Sequence, residues 1–112
     1  MDIIYKIAKE FTDTPGPRLI VEGKFSGEMF LKDVLLPKYK EAIKSDSNLV
    51  IDLDGTFGYP PSFLDEAFGG LIKETQTGTS KIFKNLIIKS SRKHYIDTIN
   101  TRMRAWEELY IK

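Results

Sequence analysis

A chain of 112 residues and 12.8 kDa has the length of one domain, since domains usually run about 100 to 150 residues. Its 41% hydrophobic, 12% aromatic and 29% charged residues exclude wholesale disorder, and the absence of cysteine excludes disulfides, thiolate metal sites and cysteine nucleophiles. Seventeen Lys and Arg against sixteen Asp and Glu leave a net charge of +1, too little to draw the whole molecule to nucleic acid or membrane, although residues 79–112 hold eight basic against three acidic groups.

The N-terminus, Met1 to Lys6, lacks a basic stretch leading into a long apolar run, and no stretch of about 18 apolar residues occurs anywhere. A soluble cytoplasmic protein with no membrane contact is the expectation. Ile3, Ile4, Tyr5 and Ile7, followed by Phe11, read as a first strand, closed by the turn-forming cluster Thr12 to Pro17. Leu19 to Glu22 reads as a second strand ending at Gly23. Ser26 then opens a helix, its hydroxyl suited to the free N–H groups of the first turn. Phe30, Leu31, Val34 and Leu35 carry it to Pro37, and helical spacing resumes, after a kink or restart, through Tyr39, Ala42 and Ile43.

Leu49 to Leu53, a short apolar run between turn residues, fits a buried central strand. A loop with two glycines and two prolines spans Gly55 to Pro61. Phe63, Leu64, Ala67, Phe68, Leu71 and Ile72 then form one helical stripe. Gly69 and Gly70 inside it cost roughly 1 kcal/mol each relative to Ala, which close approach to a strand would explain. After a turn from Thr75 to Ser80, Leu86 to Ile88 gives the next strand. From Ser91 onward Ile96, Ile99, Met103, Trp106 and Tyr110 repeat by threes and fours, an amphipathic helix. The expected fold is a single α/β domain over residues 1–112, a mixed β-sheet packed with about three helices. Its core would hold Val50, Ile51, Leu53, Phe63, Ala67, Phe68, Leu71, Leu86, Ile88, Ile99, Met103 and Trp106.

Leu49-Val50-Ile51-Asp52-Leu53-Asp54-Gly55-Thr56 resembles the signature of haloacid-dehalogenase-type phosphatases. That resemblance implies Asp52 as nucleophile, Asp54 as general acid/base and a magnesium ion between carboxylate and phosphate. No Asp-Asp or Gly-Asp pair follows to complete a metal site. Asp-Gly is also an ordinary exit from a buried strand, and Asp52 and Asp54 then read as turn-forming acids in a chain that is not an enzyme and needs no cofactor.

Gly16-Pro17-Arg18, Glu22-Gly23, Ser26 to Phe30, Val50 to Leu53 and Ser62-Phe63-Leu64-Asp65-Glu66-Ala67-Phe68-Gly69 together resemble a family of small bacterial STAS-like domains of largely unassigned function, distantly similar to anti-anti-sigma factors. The resemblance implies a STAS-type sheet and a non-catalytic regulatory module that binds a protein partner, with a histidine-kinase-like ATPase as the partner type. It also lays Ser62 on the phosphoacceptor position, without the acidic residue and glycine that accompany the acceptor in those factors.

Ser62 has a second reading. Ser62-Phe63-Leu64-Asp65 fits a capping box, Ser62 accepting from the Asp65 N–H and the Asp65 carboxylate reaching back, and a phosphate there would meet Asp65 and Glu66. Arg18 could hold an anion in bidentate fashion or pair internally with Asp52, Asp54 or Glu28. Phe57 and Tyr59 are either exposed interface anchors or core plugs. His94, the only histidine, has no partners for a metal site or a triad. Lys89, Arg92, Lys93, His94, Arg102 and Arg104 make the case for nucleic acid, yet Trp106 lies on the apolar stripe and no nucleic-acid-binding motif appears. The expected partner surface is the loop and helix start comprising Phe57, Tyr59, Ser62, Asp65 and Glu66.

Overall fold

The computed structural model describes residues 1–111. Three parallel strands, β1 (Asp2–Lys6), β2 (Asn48–Asp52) and β3 (Leu86–Lys89), lie in the order β1-β2-β3. Between them run two long helical bodies. The first is α2 (Gly27–Phe30), a π-turn (Leu31–Leu35) and α3 (Leu36–Lys44), preceded by α1 (Ile7–Glu10); the second is α4 (Pro61–Leu64), a π-turn (Asp65–Gly69) and α5 (Gly70–Thr75). A short α6 (Thr79–Ile82) leads to β3, and α7 (Lys93–Tyr110) ends the fold.

Among the described residues the sheet is parallel, not mixed, and five helical bodies replace the expected three or so. The sheet lacks its expected fourth strand because of Leu19 to Glu22. That segment forms a 3₁₀ turn over Ile20–Glu22 instead of a strand. Carboxylates claim the N–H groups a ladder would need: Glu22 Oε1 accepts from the Leu19 N–H and Glu28 Oε1 from that of Ile20, each at 2.9 Å. The first strand also stops earlier than expected, because the Glu10 carboxylate accepts from the Lys6 N–H at 2.7 Å and Ile7 enters a helical turn.

Ser26 caps its helix as expected, its hydroxyl accepting from the Met29 N–H at 3.0 Å. Helical residues continue through Pro37 without a restart. The π-turn immediately before it widens the helix where proline can donate no hydrogen bond. The run Leu49 to Leu53 does supply the central strand, over Asn48–Asp52. The last helix begins at Lys93, two residues later than its apolar spacing suggests.

Side chains alternate along each strand. Tyr5, Leu49, Ile51 and Leu86 are buried beneath the helices, together with Phe30, Phe63, Phe68, Leu71, Ile99 and Met103. Ile4, Val50 and Ile87 form one rung on the opposite face, with Ile4 58% and Ile87 46% exposed. Parallel neighbours joined by right-handed crossovers stepping the same way carry their helices on one side, and the burial pattern leaves this second face uncovered. Val50, expected in the core, therefore lies half-buried on the open face. Ile88 and Trp106 also pack against the core without entering it fully.

The two adjacent glycines face helices and not a strand. A Cβ at Gly69 would collide with the indole of Trp106, and one at Gly70 with Leu31. No helix among the described residues is long and apolar enough to cross a membrane.

Candidate functional site

The carboxyl ends of the strands gather most of the residues of interest. β2 leaves the sheet through an Asx turn in which Asp52 Oδ1 accepts from the Asp54 N–H at 2.9 Å, while Asp52 Oδ2 lies 3.9 Å from Lys89 Nζ. Asp54 Oδ1 then accepts from both the N–H and the hydroxyl of Ser91, at 2.8 and 2.9 Å. These bonds, the backbone one foremost, hold the Asp54 carboxyl below its ordinary range. The acids of Asp-Leu-Asp-Gly thus tie the exits of β2 and β3 together, the turn-forming role that the residues alone suggest. A small polar recess of about 170 Å³ lies between these exits, lined by Asp54, Thr56, Ser91, Arg92 and Tyr95 among others.

The following loop is pinned at successive residues. The Phe57 N–H donates to the Asp13 carbonyl at 2.8 Å, that of Gly58 to Thr56 Oγ1 at 3.3 Å and that of Tyr59 to the Tyr95 hydroxyl at 3.3 Å. Gly58 has φ +136°, a conformation that side chains rarely adopt. Tyr59 turns inward: it is buried and donates its hydroxyl to the Leu53 carbonyl at 2.7 Å. Burial pushes its phenol pKa well above the usual range. Phe57 turns outward and is 85% exposed. The two aromatics, alike in sequence, take the two alternatives open to them.

Ser62 does not cap its helix. Pro60 occupies the N-cap position, Pro61 and Ser62 lie within the first turn, and the half-buried Ser62 hydroxyl has no hydrogen-bond partner among the described residues. The capping box fails because Ser62 lies inside the first turn, where the Asp65 N–H donates to the Pro61 and Ser62 carbonyls, and the Asp65 carboxylate is engaged elsewhere. Asp65 is 7% exposed, with Oδ2 at 2.6 Å from Arg18 Nη1 and Oδ1 accepting from Arg102 Nε at 2.7 Å and Trp106 Nε1 at 2.8 Å. Burial raises the Asp65 pKa, but the bonds from Arg102, Arg18 and Trp106 outweigh it and leave the group below its ordinary value. Glu66 adds a longer contact to Arg18 at 3.4 Å. Arg18 therefore pairs internally, with Asp65 and Glu66 and not with Asp52, Asp54 or Glu28.

The basic helix loses one member to this arrangement, since Arg102 faces Asp65. Arg92, Lys93, His94 and Arg104 remain exposed. Leu19, Ile20 and Val21 are residues that the apolar run disguised as a strand. They are 36%, 46% and 89% exposed. Phe25, 38% exposed, packs edge-on against Phe11 beside them. A glutamate three residues after Leu19, the reach of a carboxylate to a free N–H, is the signal that marks this segment as a turn.

A family model described as a STAS-like domain of unknown function (DUF4325) matches residues 26–95. The chain belongs to that family. No curated protein and no solved structure matches it significantly.

Proposed function

We propose that this member of the STAS-like family is a non-catalytic regulatory module that binds a protein partner through the loop between Asp54 and Ser62, with Phe57 as its anchor. The carrying observation is an aromatic side chain 85% exposed on a loop whose backbone is hydrogen-bonded at Phe57, Gly58 and Tyr59. Large apolar groups at interface centres contribute most of the binding energy, and a loop already held in place loses little conformational entropy on docking. Ser62, five residues further, has a hydroxyl that no capping bond engages, which suits a modifiable switch at the rim of this surface. The partner type is the histidine-kinase-like ATPase that the likeness to anti-anti-sigma factors implies.

The test is binding of purified candidate ATPases encoded in the source genome, measured by calorimetry with the wild type and with Phe57→Ala and Ser62→Asp. Loss of about 1–2 kcal/mol on truncating Phe57 supports the reading. Complexes indifferent to both variants, with nucleic-acid binding instead abolished on reversing Arg92, Lys93 and Arg104, would replace it by a nucleic-acid function.

A further inference from the structure

A second cavity lies at the opposite end of the sheet, where α3 runs into β2 and α5 into α6. It is an open cleft of about 420 Å³, within the range of small-molecule sites. Lys40 and Lys44 reach it from α3 and Lys81 from α6, around a floor that includes Tyr39 and Ile43. Among the described residues none of these lysines forms an ion pair, and Glu74 is the one acid in the lining. The negative end of α3 accounts for Lys44 in its last turn. It does not account for cations converging on one floor from two separate elements.

Tyr39 supplies an independent observation. Its side chain is among the core residues, at 5% exposure, yet its hydroxyl has no hydrogen-bond partner among the described residues. It is also not a sealed-off polar atom; Thr79 Oγ1 is the atom of that kind here. The Tyr39 hydroxyl therefore touches solvent, and Tyr39 is among the residues that line the cleft. Ile43, 47% exposed on the same floor, offers apolar surface beside it. Thr75 and Thr77 complete the wall, but their hydroxyls are already donated to the Leu71 and Thr75 carbonyls.

The geometry points to a binding site for a small anion with an aromatic or apolar body, its phosphate or carboxylate held by Lys40, Lys44 and Lys81 and its body resting on Ile43 within reach of the Tyr39 hydroxyl. This site is separate from the Phe57 loop, at the other end of the strands. The second long helical body, α4 to α5, starts beside that loop and ends at this cleft.

The probe is 1-naphthyl phosphate, titrated into the full chain and followed by backbone amide chemical shifts, with inorganic phosphate and 1-naphthol as its two halves. The expected result is saturable shifts at Lys44, Thr75 and Thr77, with a Kd on the order of 1 mM or tighter and each half at least about tenfold weaker. Lys40→Gln combined with Lys81→Gln, both at exposed positions, should weaken binding by roughly tenfold, and Tyr39→Phe by about threefold. Four outcomes each overturn the site: no saturation by roughly 10 mM, shifts centred on the Phe57 loop, affinity unmoved by the lysine changes, or naphthol binding as tightly as its phosphate.

Discussion

Asp65 is the residue that ties two other parts of the chain to its own helix. It holds the N-terminal loop through Arg18 and the last helix through Arg102 and Trp106. Replacing it by Asn keeps the shape but removes the charge from three donors, and charge-assisted bonds are worth about 1.5–3 kcal/mol each in net terms. Both arginines are partly solvated, at 36% and 45% side-chain exposure, so the expected loss in urea titrations at pH 7 is about 2–3 kcal/mol in total. The folded pKa lies below the unfolded value of about 4. The stabilisation is therefore complete above that value and is lost as pH falls through the lower, folded pKa. Asp65→Asn should flatten this acid-side decline, and an unaltered pH profile in the variant would remove Asp65 from the account.

The neighbouring aromatics make an opposed pair of predictions. Tyr59→Ala removes a buried ring that touches Phe63 and Tyr95 and should cost about 3–5 kcal/mol, whereas Phe57→Ala, out in solvent, should stay within about 0.5 kcal/mol. Equal midpoints for the two in urea would contradict the placement of the loop. Sequence alone left both aromatics open. The deciding fact, a Leu53 carbonyl waiting for the Tyr59 hydroxyl, exists only once the chain has turned at Gly55 and Gly58.

Helices 61–75 and 93–110 meet where Gly69 lies under the Trp106 indole. Gly69→Ala should push that ring aside at about 1–3 kcal/mol. Trp106 is the only tryptophan, so its emission should shift with the stability change, and an unshifted spectrum would mean that the helices are spaced more widely. The helices themselves were legible from apolar spacing, because Phe63 to Ile72 and Ile96 to Trp106 each bury a stripe. Their π-turns were not. An extra residue in a turn leaves the stripe intact and changes only which side chains point across it. The buried run Leu49 to Leu53 was readable as a strand for the same reason that Leu19 to Glu22 was misread as one: both are short and apolar, and only the latter has acids placed to seize its N–H groups.

At the scale of the molecule, the class of fold was legible and the handling of the sheet was not. Strands separated by helical stripes announce an α/β protein. Whether the sheet is parallel throughout depended on one segment, and the bareness of its second face depended in turn on the strand order. Asp2 pairs with Asn48 and Leu49 with Leu86, so every rung of the sheet closes a loop containing a whole helical body. During synthesis β1 emerges before its partner β2, and their pairing waits until the entire first helical body has been made. A fragment ending at Ser47 should accordingly show helical dichroism but no cooperative unfolding. The full chain should refold in milliseconds to seconds, as non-local pairing dictates, instead of the microseconds open to helix bundles. The order of emergence, and not the strength of any one contact, sets when this protein can begin to exist as a sheet.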